Sequence, residues 1–196
     1  RIRMVYSLLF ALPGTPVLFY GEEIGMGENL AAKGRLAVRT PMQWSRAKNG
    51  GFSAAAPSRL SGPVVEGAFG PEFVNVVDQL NDPDSLLSFI QRLTRCYRAS
   101  PELSWGTMTV LEQPHPAVLA HLSTWDEGTL LTLHNFGPEP VTVPVHIPDA
   151  GADALLTDLL QTGRITLDNQ GRGTVELDGY GFRWLRLTRP GSRRLV

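Results

Sequence analysis

The segment from Pro13 to Met26, PGTPVLFYGEEIGM, constrains the fold of this chain more than any other. Its centre, Val17 to Tyr20, is a continuous apolar run between turn-forming residues. Such a run predicts a short strand buried on both faces, and Pro16 is tolerated only at its start. The preceding residues, 2–12, are apolar around most of the helical circumference, which predicts a buried helix. A helix followed by a buried strand is typical of a repeating α/β architecture.

The region 21–81 shows no convincing helical or strand periodicity and is rich in Gly, Pro, Asn and Ser. A structureless connection of roughly 60 residues is far longer than usual, so it is either functional or disordered. Its large apolar residues argue against disorder. These residues are Trp44, Phe52, Phe69 and Phe73. The pattern therefore predicts a folded loop that covers a site.

Regular structure is expected to resume at Asp82, a helix-capping residue, with Pro83 at the first helical position. Apolar residues then recur at helical spacing until Ser100-Pro101 ends the helix. The residues of this stripe are Leu86, Ile90, Leu93 and Tyr97. The sequence thus predicts one amphipathic helix after the long loop.

Past Trp105 the character changes to short β-like runs separated by turn signals. The predicted strands are 108–111, 118–122, 130–135, 141–147, 155–160, 174–177 and 182–187. Strict alternation between Val141 and Ile147 predicts a half-buried strand, and Pro144 predicts that it lies at a sheet edge. The fold class is therefore mixed: the end of an α/β domain (1–104, including the loop 21–81), an all-β antiparallel sandwich (105–189) and a tail (190–196).

Composition limits the partners. A formal net charge of −1 gives no reason to expect nucleic acid or an anionic membrane as partner, and no apolar run approaches bilayer length. The single cysteine, Cys96, excludes an intrachain disulfide and fits a cytoplasmic location. Because it lies in the helical pattern, Cys96 is interpreted as a structural thiol rather than a nucleophile.

Four residues of the first hundred are candidates for binding. Glu22 and Glu23 are adjacent, so on a strand they face opposite sides and cannot form the facing pair of a retaining glycosidase. Arg39 precedes Thr40-Pro41, whose extended backbone would present its guanidinium for bidentate hydrogen bonds to a carboxylate or to vicinal sugar hydroxyls. Trp44 suits stacking on a sugar ring. Packing and ion pairing are the alternative roles for the glutamates and Trp44.

Metal and cofactor signals are missing from the sequence. The histidines show no metal-ligand spacing and are interpreted as surface or half-buried residues. They are His115, His121, His134 and His146. There is also no GxSxG motif and no phosphate-binding glycine loop. We therefore predict no metal site and no cofactor in this chain.

Several motifs together resemble glycoside hydrolase family 13, the α-amylase family. LPGTPVLFYGEEIGM is similar to the family's segment around the eighth barrel strand. RTPMQW (39–44), followed by NGGFS (49–53), resembles the trehalose synthase and α-glucosidase branch of the family. The segment that precedes the next helix, with Asn75, Gln79 and DPDSLL (82–87), also resembles this branch. The continuation GMGEN (25–29) favours trehalose synthase. The resemblance runs from about Ile2 to Glu102.

The resemblance implies the C-terminal part of a (β/α)8-barrel enzyme, comprising a helix, a strand, a long loop and a helix, followed by the β domain. The family's nucleophile, general acid and transition-state stabiliser lie in motifs that this sequence lacks, so no catalytic residue is expected here and the chain alone is expected to be inactive. Arg39 matches the arginine that lines the innermost sugar subsite, and Glu22 and Glu23 match a rim position. The parent would act on short α-glucosides such as maltose or trehalose. In the family, calcium belongs mostly to earlier segments, so calcium in the full-length protein stays open.

Within the family, the parent enzyme could be a hydrolase instead of an isomerase. Outside this interpretation, two alternative classes of protein remain. One is a carbohydrate-binding module with coplanar exposed aromatics, from the candidates Trp105, Trp125, Tyr180 and Trp184. The other is a purely structural domain. The chain begins inside a helical pattern, which favours a fragment, and its uncovered apolar strand is expected to cause self-association or disorder over 1–81.

Overall fold

The computed structural model describes residues 1 to 191, which form two units. Unit 1 contains Arg1–Pro16 and the chain from Arg92 onward, and unit 2 is Val17–Gln91. The predicted tail, 190–196, lies outside the described residues from position 192. The helices are α1 (Ile2–Ala11), α2 (Val76–Leu80), α3 (Leu86–Arg98) and α4 (Pro101–Trp105). The strands are β1 (Thr107–Leu111), β2 (Val118–Trp125), β3 (Gly128–Asn135), β4 (Val141–His146), β5 (Leu155–Asp158), β6 (Arg164–Thr166), β7 (Arg172–Leu177) and β8 (Phe182–Thr188).

The β domain of unit 1 is an antiparallel sandwich, as the sequence predicts. One sheet has six strands in the order β1-β2-β3-β8-β5-β6, and the second consists of β4 and β7. Alternation on β4 decides which residues enter the core: Val143 and Val145 are buried, whereas Thr142 and His146 are exposed. Val143 and Val145 pack with Leu133, Leu156 and other buried residues of the large sheet. Among residues 1–191, strand β4 pairs only with β7, which confirms the edge position predicted from Pro144.

Seven of the eight strands follow the predicted positions, and β6 was not predicted. Its three residues are too few to display an alternating pattern. It nevertheless pairs with β5, where Leu155 lies opposite Thr166. Tertiary pairing therefore determines this strand, and local sequence does not.

Helix α1 covers the face of the large sheet opposite the sandwich core. Phe10 and Met4 are buried, but Ile2, Val5 and Leu9 are exposed. The expectation of burial on all sides is therefore wrong for the described chain, because α1 contacts a partner layer on one side only.

A buried polar network joins α1 to this sheet. Trp184 Nε1 donates to Ser7 Oγ at 3.0 Å, and Ser7 Oγ lies 2.9 Å from His134 Nε2. His121 Nε2 donates to the carbonyl of Ala11 at 3.0 Å. Both histidines are fully buried, which corrects the prediction of surface or half-buried residues. Burial lowers the pKa of His134 to about 3, with His121 nearby adding to the effect, and burial also lowers the pKa of His121.

A buried ion pair fixes α4 to the same sheet. Arg186 of β8 donates from Nη2 to Glu102 Oε2 at 3.1 Å, to Ser100 Oγ at 2.8 Å and to the carbonyl of Ala99 at 3.1 Å. The side chains of Arg186 and Glu102 are 6% and 0% exposed. Burial raises the pKa of the nearby Cys96 thiol, which donates to the carbonyl of Leu159 at 3.2 Å. This environment fits a structural thiol.

The strand predicted at Pro16–Tyr20 does not form. Residues 16–19 have no regular secondary structure, and no strand pairs with them among the described residues. A parallel strand exists only where neighbours accept its hydrogen bonds, and residues 1–191 provide none. Val17 is consequently 79% exposed. Self-association over this surface stays a prediction.

The long loop is folded, as predicted, through short 3₁₀ turns and α2. The following helix, α3, begins at Leu86 instead of Asp82, because Ser85 Oγ accepts the Ser88 N–H at 3.1 Å and caps it. Asp82 instead accepts the Asp84 N–H at 2.8 Å and closes a turn. Throughout residues 1–191, no helix is both long and apolar enough to cross a membrane.

Candidate functional site

A tight turn after Tyr20 places the two glutamates of unit 2. Glu22–Ile24 form a 3₁₀ turn between Gly21 and Gly25, whose φ angles are 90° and 70°. Gly21 is required twice over, since a Cβ there would lie 2.6 Å from Met26 Sδ. The carboxylates accept backbone N–H groups of the same turn: Glu22 Oε2 from Phe19 at 3.2 Å, and Glu23 Oε2 from Gly21 at 2.7 Å. Both glutamates thus stabilise the turn that presents them.

Arg39 is held by its backbone and is exposed at its side chain. Tyr20 Oη donates to the carbonyl of Thr40 at 2.9 Å, and Thr40 and Pro41 are buried. Within residues 1–191 the Arg39 guanidinium has no hydrogen-bond or ion-pair partner. A fixed backbone with an unpaired fork of donors suits recognition of hydroxyl pairs or a carboxylate.

Two cavities meet at Arg39 and Tyr20. The first, of about 340 Å³, is lined by both residues together with Glu22, Glu28 and Arg35. It therefore combines carboxylate acceptors and guanidinium donors with apolar and aromatic surface. The second cavity, of about 380 Å³, adds a different set. Such mixed linings favour small polar ligands.

Trp44 and Phe52 add aromatic surface to the second cavity, whose lining also includes Glu23. They are 50% and 52% exposed. A turn at Asn49 brings them together: Asn49 has φ 55°, and the carbonyl of Gly50 accepts the Trp44 N–H at 2.8 Å. The Asn49 amide also donates to the carbonyls of Ser53 at 2.7 Å and Ala55 at 2.9 Å. The NGG sequence is therefore the scaffold of this aromatic wall.

Two glutamines, the buried Gln43 and the half-buried Gln79, support the site through hydrogen bonds to the backbone. Gln43, fully buried, donates from Nε2 to the carbonyls of Phe69 and Val74. Gln79 Nε2 donates to the carbonyl of Ile24 at 2.7 Å, and its Oε1 accepts the Leu87 N–H at 3.0 Å. The turn that carries the glutamates is thus connected to the start of α3.

The outer wall of the first cavity comes from the segment Glu28–Val38. It closes on itself, since the Asn29 N–H donates to the carbonyl of Ala37 at 2.8 Å. Its other hydrogen bonds are also local, such as Ala31 N–H to Asn29 Oδ1 at 3.2 Å. One further backbone bond joins this wall to the site, because the Arg39 N–H donates to the carbonyl of Leu36 at 3.2 Å.

The structure places the predicted site residues around two adjoining cavities. Arg39 shares the first cavity with Glu22, and the second with Glu23 and Trp44, so the two glutamates line different cavities. Sequence reasoning missed Tyr20, which was assigned to the buried strand but is 44% exposed. Its position immediately before Gly21 was the available signal. Residues 1–191 contain no cluster of three metal-ligating side chains.

Two family models match this chain. The model for the catalytic domain of alpha amylase matches residues 1–106, and the model for the sucrose hydrolase-like C-terminal domain matches residues 128–186. The first match covers more than half of the chain and contains every residue of the two cavities. The second lies within the antiparallel sandwich.

Similar proteins agree with these matches. The trehalose synthase of a Pimelobacter species is 35% identical over 98% of this chain and 34% of its own length. The trehalose synthase/amylase TreS of Mycobacterium tuberculosis is 35% identical over 96% of this chain and 32% of its own. An α-amylase structure from H. orenii has the same fold, with a TM-score of 0.69 at 24% identity over 95% of this chain and 35% of its own. The chain spans about a third of the length of these relatives. By its sequence, fold and site, the chain belongs to the α-amylase family, glycoside hydrolase family 13.

Proposed function

We propose that this chain is the C-terminal portion of a retaining enzyme of the trehalose synthase type, which interconverts maltose and trehalose. The observation that carries the proposal is the unpaired Arg39 guanidinium where two cavities meet. The similarity to two trehalose synthases supports the choice of isomerase over the α-glucosidase and amylase alternatives. The single cysteine is compatible with the cytoplasmic location that we propose.

In this proposal the chain contributes to the sugar-binding wall and leaves bond cleavage to residues elsewhere in the parent protein. A retaining mechanism needs two carboxyl groups about 5–5.5 Å apart, one as nucleophile and one as acid and base. Glu22 and Glu23 do not supply them, because they bind the backbone of their own turn and line different cavities. Arg39 donates to vicinal hydroxyls of one glucose unit, and Trp44 offers a ring face to the other.

Replacement of Arg39 by alanine in the parent protein tests this role. Loss of two charge-assisted hydrogen bonds is expected to cost about 2–4 kcal/mol, or roughly 30- to 1000-fold in kcat/KM for maltose. Arg39→Lys should recover only part of this, because an ammonium group cannot form the planar bidentate pair. Trehalose formation followed by ¹H NMR distinguishes isomerisation from glucose release.

Arg46→Ala is the matched control for that experiment. Arg46 is also an arginine of unit 2, but its Nε is paired with Asp78 at 2.8 Å and it lines neither of the two cavities described above. Its replacement should leave kcat/KM within about twofold, because exposed ion pairs contribute little. Equal kinetics of Arg39→Ala and the wild type would refute the proposed sugar contact. Glucose as the sole product would show that the parent enzyme is a hydrolase and not an isomerase.

The 196-residue chain alone is expected to leave maltose unchanged. We propose this because both carboxylates of the retaining mechanism are assigned outside it. The measurement is ¹H NMR of maltose incubated with the purified chain, with the parent protein as positive control. Trehalose or glucose above the buffer blank would show that this assignment is wrong.

A further inference from the structure

Two tryptophans form an exposed pair on unit 1. Trp105 ends α4 and Trp125 ends β2. Their ring centroids are 6.5 Å apart, with an interplanar angle of 39°, and the residues are 71% and 44% exposed. The third tryptophan of the unit, Trp184, is fully buried. Large aromatic side chains kept together in water mark a contact surface more often than a stabilising core.

The backbone holds the two rings at a fixed separation. Gly106 connects α4 to β1, and a Cβ there would lie 2.1 Å from the carbonyl oxygen of Glu102 and 2.8 Å from that of Thr124. Thr107 and Thr124 are then directly paired across β1 and β2. Since Glu102 is also fixed by its buried ion pair, the backbone that carries Trp105 is held in place beside β2.

The surroundings of the pair indicate a neutral ligand with many hydroxyl groups. Thr107 and Thr124 are exposed and offer hydroxyls, and the hairpin tip after Trp125 carries the exposed carboxylates of Asp126 and Glu127. The sequence from 104 to 129 contains no Lys or Arg. Nucleic acid and anionic lipid require cations, so this patch does not suit them. Aromatic faces with hydroxyl and carboxylate neighbours suit the C–H faces and hydroxyls of sugars.

We propose that Trp105 and Trp125 form a second carbohydrate-binding platform, separate from the Arg39 cavities, for an α-linked glucan chain. The 39° tilt is the reason for the α linkage: consecutive rings of an α-1,4 chain turn relative to each other, whereas a flat β-1,4 chain needs coplanar aromatics. The platform thus differs from the coplanar arrangement expected for a binding module. The choice of glucose rests on the proposed function of the parent enzyme.

Titration of the 196-residue chain with maltoheptaose, followed by calorimetry and by tryptophan fluorescence, tests the platform. Saturable binding is expected, weakened about tenfold or more by Trp105→Ala and by Trp125→Ala, since each removes one stacking face. Trp105→Phe should retain most of the affinity because it retains a ring. Phe136→Ala is the matched control, because Phe136 is an aromatic residue of the same unit, is 43% exposed and lies outside both the platform and the Arg39 cavities. It should leave this binding unchanged. Cellohexaose should bind more weakly than maltoheptaose.

Three outcomes would overturn the platform. They are no saturable binding of maltoheptaose, binding lost in Phe136→Ala but kept in Trp105→Ala, and dissociation of a dimer in the tryptophan variants by sedimentation, which would make the pair a self-association contact. Unchanged thermal unfolding of the variants separates a lost contact from a lost fold, and exposed positions favour that result. Failure here leaves the Arg39 kinetics of the parent untouched, so the two proposals can fail independently.

Discussion

Arg186→Met is expected to lower the free energy of unfolding of unit 1 by about 3–5 kcal/mol. The guanidinium of Arg186 is the partner of Glu102 and also bonds Ser100 and the carbonyl of Ala99, all with almost no solvent access. Methionine has a similar length but no charge, so the Glu102 carboxylate would lose its counter-charge inside the protein. Urea unfolding followed by circular dichroism measures the change.

The double variant Arg186→Met with Glu102→Leu separates the ion pair from simple packing. Removal of both charges should restore part of the lost stability, because no uncompensated charge then remains buried. Arg46→Met provides the matched surface control, since the Arg46–Asp78 pair is 67% and 38% exposed, and its loss should cost less than about 1 kcal/mol. Equal destabilisation by Arg186→Met and Arg46→Met would refute a structural role for the buried pair.

Acidification is expected to destabilise unit 1 through His134. The pKa of this group falls from 6.5 to about 3 on folding because burial disfavours the imidazolium form. The unfolded chain therefore binds a proton that the folded chain does not, so the stability contribution is complete above pH 6.5 and is lost as the pH falls towards 3. Between pH 7 and pH 4.5 the loss attributable to His134 should be about 2–3 kcal/mol. His121, whose pKa is also lowered by burial, acts in the same direction.

His134→Gln tests the assignment. The amide retains a partner for Ser7 but does not titrate, so the slope of unfolding free energy against pH should flatten by up to about one proton in this range. His115→Gln is the control, because His115 is exposed and should leave the slope unchanged. Urea unfolding at half-unit intervals from pH 4.5 to 7.5 gives the slopes. If His134→Gln is as acid-sensitive as the wild type, the loss of stability at low pH arises from groups other than His134.

Local pattern predicted the sandwich well, because its strands are short and half-buried. On β4 the alternation alone identified Val143 and Val145 as core residues. The three-residue strand β6 carried no such signal. The prediction failed for the apolar run 16–20 and for the exposed side of α1. Their hydrophobicity is suited to burial against a layer that residues 1–191 do not include. The predicted strand and the predicted burial are therefore absent from the described residues.

The candidate site was predicted in part for the same reason. Arg39 was recognisable because Thr40-Pro41 stiffens the backbone beside it. Tyr20 was not, because its hydroxyl contact with Thr40 is made across twenty positions of sequence and only the fold reveals it. The buried histidines were missed since neither neighbour spacing nor charge pattern distinguishes a histidine that bonds Ser7 from one in solvent.

The closed segment Glu28–Val38 has a practical consequence for engineering. Its ends are joined by the hydrogen bond from the Asn29 N–H to the carbonyl of Ala37, so the segment forms a closed loop. The hydrogen bonds of Gln43, Gln79 and the Tyr20 hydroxyl are made to residues outside this segment. Loops of the same length from relatives could be exchanged between positions 28 and 38 to alter the lining of the first cavity, provided that the carbonyl of residue 36 still accepts the Arg39 N–H.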